Sequence, residues 1–486
     1  VMQKVWSISG RSIAVSALAL ALTACQSMRG PEPVAQANIP EQGYLTSASG
    51  PSIAEQGYKD FFADQRLLQV LDLALANNRD LRTSALNIQR AQQQYQITQN
   101  NQLPTIGASG SVLRQDTLNT GAMTSYNVGL GVTAYELDFW GRVRSLKDNA
   151  LDTYLATSSA RDATQIALVG QVAQAWLNYS FANANLKLAD QTLKAQLESY
   201  NLNKKRFDVG IDSELPVRQA QISVETARND VANYKTQIAQ AQNLLNLLVG
   251  QAVPANLLPT QRVTRISKSN AFSAGLPSDL LNNRPDVRAA EYKLSAAGAN
   301  IAAAKARLFP TISLTGNAGY ASTSLNDLFK SGGFVWSIGP SIDLPIFDWG
   351  TRKANIKISE TDQQIALSDY EKSIQSAFRE VNDALAVRQN IGDRLAAQRR
   401  LVDATNTTYR LSNARFGAGI DSYLTVLDAQ RASYAAEQGL LLLEQANMNN
   451  QVEVYKTLGG GIKANTGDAV QQPASTAERK AANSAE

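Results

Sequence analysis

The chain repeats itself, and the repeat constrains its fold more than any other feature. Arg206-Phe207-Asp208-Val209-Gly210-Ile211-Asp212-Ser213 returns roughly two hundred residues later as Arg415-Phe416-Gly417-Ala418-Gly419-Ile420-Asp421-Ser422. The match continues at the same offset, with Leu215, Val217, Ala220 and Gln221 recurring as Leu424, Val426, Ala429 and Gln430. Asn77-Asn78-Arg79 followed by Asp80-Leu81-Arg82 recurs as Asn282-Asn283-Arg284 followed by Asp286-Val287-Arg288, with Pro285 the extra residue. Leu103-Pro104-Thr105-Ile106 returns as Phe309-Pro310-Thr311-Ile312. A period this long exceeds the 20–50 residues of solenoid repeats, so it reads as tandem duplication of a domain-sized unit.

Proline places the elements. None occurs between Thr105 and Leu215 or between Ile346 and Gln472, and each stretch opens strand-like and then turns helical. From about Gly141 to Phe207 the composition favours helix, with Ile166, Val169, Val172, Ala173 and Trp176 at spacings of three and four. A continuous helix there would be roughly 100 Å long at about 1.5 Å per residue. The second copy offers the same from about Thr351 to Arg415. Another helix follows each, from about Asp212 to Gly250 and from about Asp421 to Leu458, so each copy carries a long helical hairpin. At the turns, Gly210 and Gly419 suit a left-handed helix end, and Asp212 or Ser213, with Asp421 or Ser422, could cap the next helix.

The segments before the long helices alternate with period two. Tyr126, Val128, Leu130 and Val132 alternate with Asn127, Gly129, Gly131 and Thr133. Ile312, Leu314, Ala318 and Tyr320 alternate with Thr311, Ser313, Thr315 and Asn317, and Phe334, Trp336, Ile338, Ile342 and Leu344 with Ser337, Gly339, Ser341 and Asp343. Ile106 to Val112 shows the pattern more weakly. Such segments, with aromatic residues near their ends, fit transmembrane barrel strands. A half-buried sheet in a soluble protein gives the same alternation.

The N-terminus points to the membrane reading. Lys4 and Arg11 precede an apolar run from Ile13 to Leu22 that ends in Leu22-Thr23-Ala24-Cys25, the anatomy of a signal peptide closed by a lipobox. Cys25 is the only cysteine, suited to carry a covalent lipid, and Gln26 after it resembles the outer-membrane class of lipoproteins. Four strands cannot close a barrel, and an open edge in lipid leaves backbone groups unsatisfied, so several chains must contribute.

Composition argues against most enzymes, although Lys and Asp/Glu could still do chemistry. Histidine, the commonest general base and metal ligand, is absent. No phosphate loop, paired-cysteine metal spacing or nucleophile elbow is present. We therefore expect no catalytic, cofactor or metal site. A net charge of +4 over 486 residues is too dilute for a nucleic-acid face.

Together these residues resemble the outer-membrane factor family, the TolC/OprM-type exit ducts of tripartite efflux and type I secretion systems. The likeness runs from Cys25 through both copies to Gly461. Its most specific pieces are the lipobox, the paired hairpin motifs, Asn-Asn-Arg-Pro-Asp at 282–286, Phe-Pro-Thr-Ile at 309–312, Phe-Asp-Trp-Gly at 347–350 and Tyr-Leu-Thr-Val-Leu-Asp-Ala-Gln-Arg at 423–431. The motifs look more like the OprM-type multidrug branch.

The resemblance implies an internally duplicated α+β membrane protein. It forms a homotrimer whose twelve-stranded outer-membrane β-barrel, four strands per chain, continues into a long periplasmic α-helical barrel. The expected division is a signal peptide over 1–24, a lipidated tether over 25–60, a first repeat over 61–250, a linker over 251–277, a second repeat over 278–461 and a disordered tail over 462–486. Each repeat would hold a helix, two strands and the long hairpin.

The resemblance also implies a periplasmic gate at Leu424, Asp428 and Arg431. In the repeat, Asp428 matches Gln219 and Arg431 matches Ile222, so a trimer would carry three of each charge around its axis. Arg431 could pair with Asp428 in its own chain or in the next. The tips, Gly210, Ile211, Asp212 and Ser213 with Gly419, Ile420, Asp421 and Ser422, would meet a periplasmic adaptor, and an inner-membrane drug/proton exporter of the RND type would load the cargo. The rivals are an exit duct for secreted polypeptides, a structural coiled-coil lipoprotein and, with least support, a cell-wall hydrolase. Loops near Thr117–Ser125 and Thr323–Gly333 could close the far end.

Overall fold

The computed structural model describes residue 53 and residues 56–117, 121–268 and 283–466. The signal peptide, Cys25, most of the tether, residues 269–277 of the linker and the tail from 467 lie outside the described residues. In chain order the elements are α1 (Gln65–Asn77), α2 (Arg79–Asn100), β1 (Ile106–Thr117), β2 (Gly121–Glu136), α3 (Arg142–Asp208) and α4 (Glu214–Val249). The second copy supplies α5 (Pro285–Ala306), β3 (Thr311–Ser322), β4 (Phe334–Asp343), α6 (Thr351–Gly417) and α7 (Tyr423–Thr457). Both long helices, α3 and α6, contain 67 residues, as the proline-free stretches led us to expect.

Three expectations need correction. The first copy has two helices before its strands, because Asn78 ends α1 and caps α2. Its Oδ1 accepts the Leu81 N–H at 2.8 Å while its Nδ2 donates to the Leu248 carbonyl at 2.8 Å. The loop drawn over Thr117–Ser125 is shorter, since β2 already begins at Gly121. Residues 462–466 of the expected tail are held in place, because the Tyr58 and Lys59 N–H groups donate to the carbonyls of Lys463 and Ala464, both at 3.0 Å.

The chain forms two compact units, and neither is one copy of the repeat. Among the described residues, one unit gathers Asn87–Thr157 with Ala289–Glu371, and the other gathers the segments up to Leu86, Ser158–Arg288 and the chain from Lys372.

In the first unit the strands form one antiparallel sheet in the order β1-β2-β3-β4. Its registers put the apolar alternations in phase. Ala108, Leu130, Ala318 and Trp336 align across all four strands, as do Ile106, Val132, Gly316 and Ile338. Beside them run polar rows such as Asn317 and Ser337, whose side chains hydrogen-bond. A β-bulge between Val132 and Tyr135, where Ala134 takes φ +52°, adds local twist to β2. The apolar face is bare, with Leu130 59%, Trp336 69% and Ile342 70% exposed. A sheet half-buried in a soluble protein would cover that face.

The second unit has a dense core. Trp176 and Phe181 of α3 are fully buried, Phe61 stacks on Tyr455 of α7 at 4.0 Å, and the Trp176 indole N–H donates to the Leu257 carbonyl at 3.0 Å. Arg284, from the Asn-Asn-Arg-Pro-Asp motif, is buried against the end of α7. It donates to the Thr457 carbonyl at 3.2 Å and pairs with Asp286 at 2.6 Å and Glu380 at 2.8 Å. Its counterpart Arg79 is exposed, so the two copies have diverged here.

Candidate functional site: the hairpin tips and the α7 stripe

Both hairpin turns lie in the second unit and have the same backbone. Gly210 and Gly419 take φ +74° and +73°. A Cβ on either would meet nothing within 4 Å, so glycine is needed for its left-handed conformation alone. The N–H groups of Gly210 and Ile211 donate to the carbonyls of Phe207 and Arg206, both at 2.9 Å. Those of Gly419 and Ile420 donate to Phe416 and Arg415 at 3.0 and 2.9 Å. Each is a Schellman closure that satisfies carbonyls at a helix end.

The expected capping differs. Ser213 and Ser422 stand at the N-cap positions of α4 and α7, yet neither side chain caps its helix. The two aspartates turn back to the arginines instead. Asp421 accepts two hydrogen bonds from Arg415, at 2.6 and 2.9 Å, and Asp212 accepts one from Arg206 at 3.2 Å. These bonds hold the Asp421 carboxyl below the usual carboxylate range and push the Arg415 guanidinium up. Each turn is thus clasped from one helix end to the start of the next. Between the clasps, the Arg206 guanidinium lies 5.2 Å from the Phe416 ring centre, a cation–π contact joining the two hairpins.

Ile211 and Ile420 at the tips are 67% and 63% exposed, with Val209 and Leu215 as bare beside them. The clasps fix these apolar side chains in a rigid turn facing solvent.

Leu424, Asp428 and Arg431 fall at i, i+4 and i+7 of α7, on one exposed stripe. The opposite face is buried, where Tyr423, Val426 and Leu427 cluster with Phe416 and with Ala220 of α4. Among the described residues, neither Asp428 nor Arg431 forms an ion pair within the chain. Leu424, Asp428 and Arg431 therefore point away from the hairpin's own packing.

Farther along, α7 is tied to α4. The Tyr434 hydroxyl donates to Asp230 Oδ2 at 3.0 Å, and Gln438 Nε2 donates to the Tyr234 hydroxyl at 3.0 Å. Burial and then the Asp230 charge push the Tyr434 phenol up, keeping it a proton donor. Sequence reasoning missed these ties and both clasps. The six-residue spacing of Arg206 to Asp212, repeated at Arg415 and Asp421, was the available signal for the clasps. The ties lie at unrelated positions of the two copies and left none. Among the described residues, no group of three or more cysteine and carboxylate side chains is placed to hold a metal ion.

Known proteins are similar to this chain in sequence and in fold. The family described as outer membrane efflux protein matches residues 70–251 and 276–460, one match on each copy of the repeat. The chain is 44% identical to the probable efflux pump outer membrane protein TtgC of Pseudomonas putida, over 88% of this chain and 90% of that one. It is 38% identical to the cation efflux system protein CusC of Escherichia coli, over 91% and 97% of the two chains. The open-state outer membrane channel MtrE of Neisseria gonorrhoeae superimposes with a TM-score of 0.83 at 38% identity, covering 90% of this chain and 99% of that one. The expected fold class, an internally duplicated α+β outer-membrane channel with four strands per chain and long helices, is borne out.

Proposed function

The chain belongs to the outer membrane efflux protein family, and from that membership we propose that it is a passive exit duct of a tripartite multidrug efflux pump, anchored by a lipid on Cys25 and gated at its periplasmic end. The observation that carries the reading is the bare sheet. β1 and β4 leave two long unpaired edges, and every described side chain of β4 is exposed. Such an edge cannot stand in lipid, where each unpaired backbone group costs several kcal/mol. Closure of three chains, β4 of each against β1 of the next, satisfies both edges and presents the aligned apolar rows to the bilayer.

Transport energy comes from an inner-membrane exporter driven by protons, and a periplasmic adaptor engages the tips at Gly210, Ile211, Asp212 and Ser213 and at Gly419, Ile420, Asp421 and Ser422. Opening follows only if the adaptor binds the open form better than the closed one. Leu424, Asp428 and Arg431 line the gate. Leu424 forms an apolar ring, and three Asp428 carboxylates near one axis attract cations and repel one another unless Arg431 of the same or the next chain pairs with them.

Single-channel conductance in a planar bilayer tests this, comparing the native protein with Leu424→Ala combined with Asp428→Ala. Low conductance that rises clearly in the variant is expected. Equal, high conductance in both would keep the duct and remove the gate, and none in either from inserted trimer would favour a structural strut.

A further inference from the structure

The two copies of the repeat end their second strands in the same way but are left in different surroundings. Trp140 follows β2 and precedes α3. Its ring stacks on Phe309 at 4.8 Å between centres and 21° between planes, and its indole N–H donates to the Pro310 carbonyl at 2.8 Å. Trp349 holds the same place in the second copy, between β4 and α6, but it is 88% exposed. Phe347 and Ile346 beside it are 71% and 85% exposed. Trp349 also takes φ +55°, a left-handed conformation that bulky residues rarely adopt and that a surface loop would relax unless something used it.

The seat of Trp140 belongs to the other copy. Phe309-Pro310 corresponds in the repeat to Leu103-Pro104, which leads into β1; Leu103 is 65% exposed and Pro104 is exposed too. Within the chain the first copy's second strand, β2, lies against the second copy's first strand, β3, and that pairing brings Trp140 to Phe309-Pro310. The second copy's second strand, β4, has a free outer edge, and so does β1. Repeating the β2–β3 relation at those edges brings Trp349 to Leu103-Pro104 of another chain.

We propose that Trp349 docks on Leu103 and Pro104 of a neighbouring copy of this chain, its indole N–H donating to the Pro104 carbonyl as that of Trp140 donates to Pro310. The proposal rests on the closed-barrel reading above and specifies its inter-chain lock: three such seats at the inner rim of the barrel, alternating with the three intrachain ones. Each docking hides a bare aromatic cluster and gives the indole N–H a protein acceptor in place of the water it loses, which a buried tryptophan needs.

Paired cysteines test it. Cys25 is the only native cysteine, so the unsubstituted chain serves as the background. The pair Trp349→Cys and Leu103→Cys is treated with a short bismaleimide after the oligomeric mass of the purified protein has been measured. The intrachain pair Trp140→Cys and Phe309→Cys calibrates the reagent. Trp349 is on the surface of its own chain, so replacing it leaves that chain's packing intact. The expected result is covalent dimers and trimers on a denaturing gel from the 349/103 pair and none from Trp349→Cys alone. An intact trimer without these species, while the 140/309 pair reacts, would overturn the docking and leave the channel reading standing. So would a fluorophore at residue 349 that brominated phospholipid quenches in the trimer, which would assign the cluster to the lipid interface. A protein that inserts as monomers would overturn both.

Discussion

Arg415 illustrates how one side chain can set the shape of a turn. Its guanidinium grips Asp421 with two hydrogen bonds while the backbone between them closes over Gly419. The Asp421 carboxyl titrates below its ordinary value of 3.8 because of those bonds. A carboxyl with a lowered folded-state pKa stabilises the fold above its unfolded pKa, and the contribution disappears as pH falls through the lowered value. We expect amide protection at Gly419 and Ile420 to be constant from pH 7 to about 5 and to fall below 3.8. Asp421→Asn should show the loss already at pH 7, as faster tryptic cleavage after Arg415, whereas Asp428→Asn should not. Unchanged cleavage would mean that the glycine turn alone holds the tip.

At the scale of elements, the hairpins present their tips as rigid apolar points. Ile211 and Ile420 are held out by a left-handed glycine and a clasp on either side, so little order must be gained when a partner covers them. Fully burying an isoleucine is worth about 1.5–3 kcal/mol, and about 1.4 kcal/mol is tenfold in affinity. Ile211→Asp or Ile420→Asp should therefore weaken adaptor binding about tenfold or more and lower drug resistance, with conductance and trimer mass unchanged. Resistance equal to the native protein's would refute the tips as the adaptor contact. The two charges of the α7 stripe, unlike the tips, have a single copy, since α4 carries Gln219 and Ile222 where α7 has Asp428 and Arg431, while Leu424 recurs as Leu215. A gate built from one hairpin of each pair can move while the other hairpin stays packed.

For the molecule as a whole, the repeat fixes how chains should join. Asn127 faces Ala321 across β2 and β3. The hairpin registers map these residues onto the second copy and the first, since Ser111 faces Asn127 as Asn317 faces Ser337, and Gln115 follows Ile106 at the same distance as Ala321 follows Ile312. Ser337 of one chain should then face Gln115 of the next. Ser337→Cys with Gln115→Cys is expected to form an inter-chain disulfide under mild oxidation, and Ser337→Cys with Arg114→Cys is not, because a one-residue slip turns the side chain to the other face. Efficient linkage by the shifted pair would show that the inter-chain register departs from the intrachain one.

The sequence by itself determined the duplication, the long helices, the strand alternation and the need for glycine at residues 210 and 419. These are properties of neighbouring residues, because helical spacing, period two and a positive φ are set within a few positions of the chain. Tertiary structure alone decided that each compact unit mixes both copies, that Asp421 clasps Arg415 instead of capping α7, that Asn78 divides the first helix, and that Trp140 is seated while its twin Trp349 is bare. Segments far apart in the sequence meet at each of these places, or compete there for the same hydrogen bond. Identical motifs come apart in role because the chain supplies a neighbour to one copy and an open edge to the other.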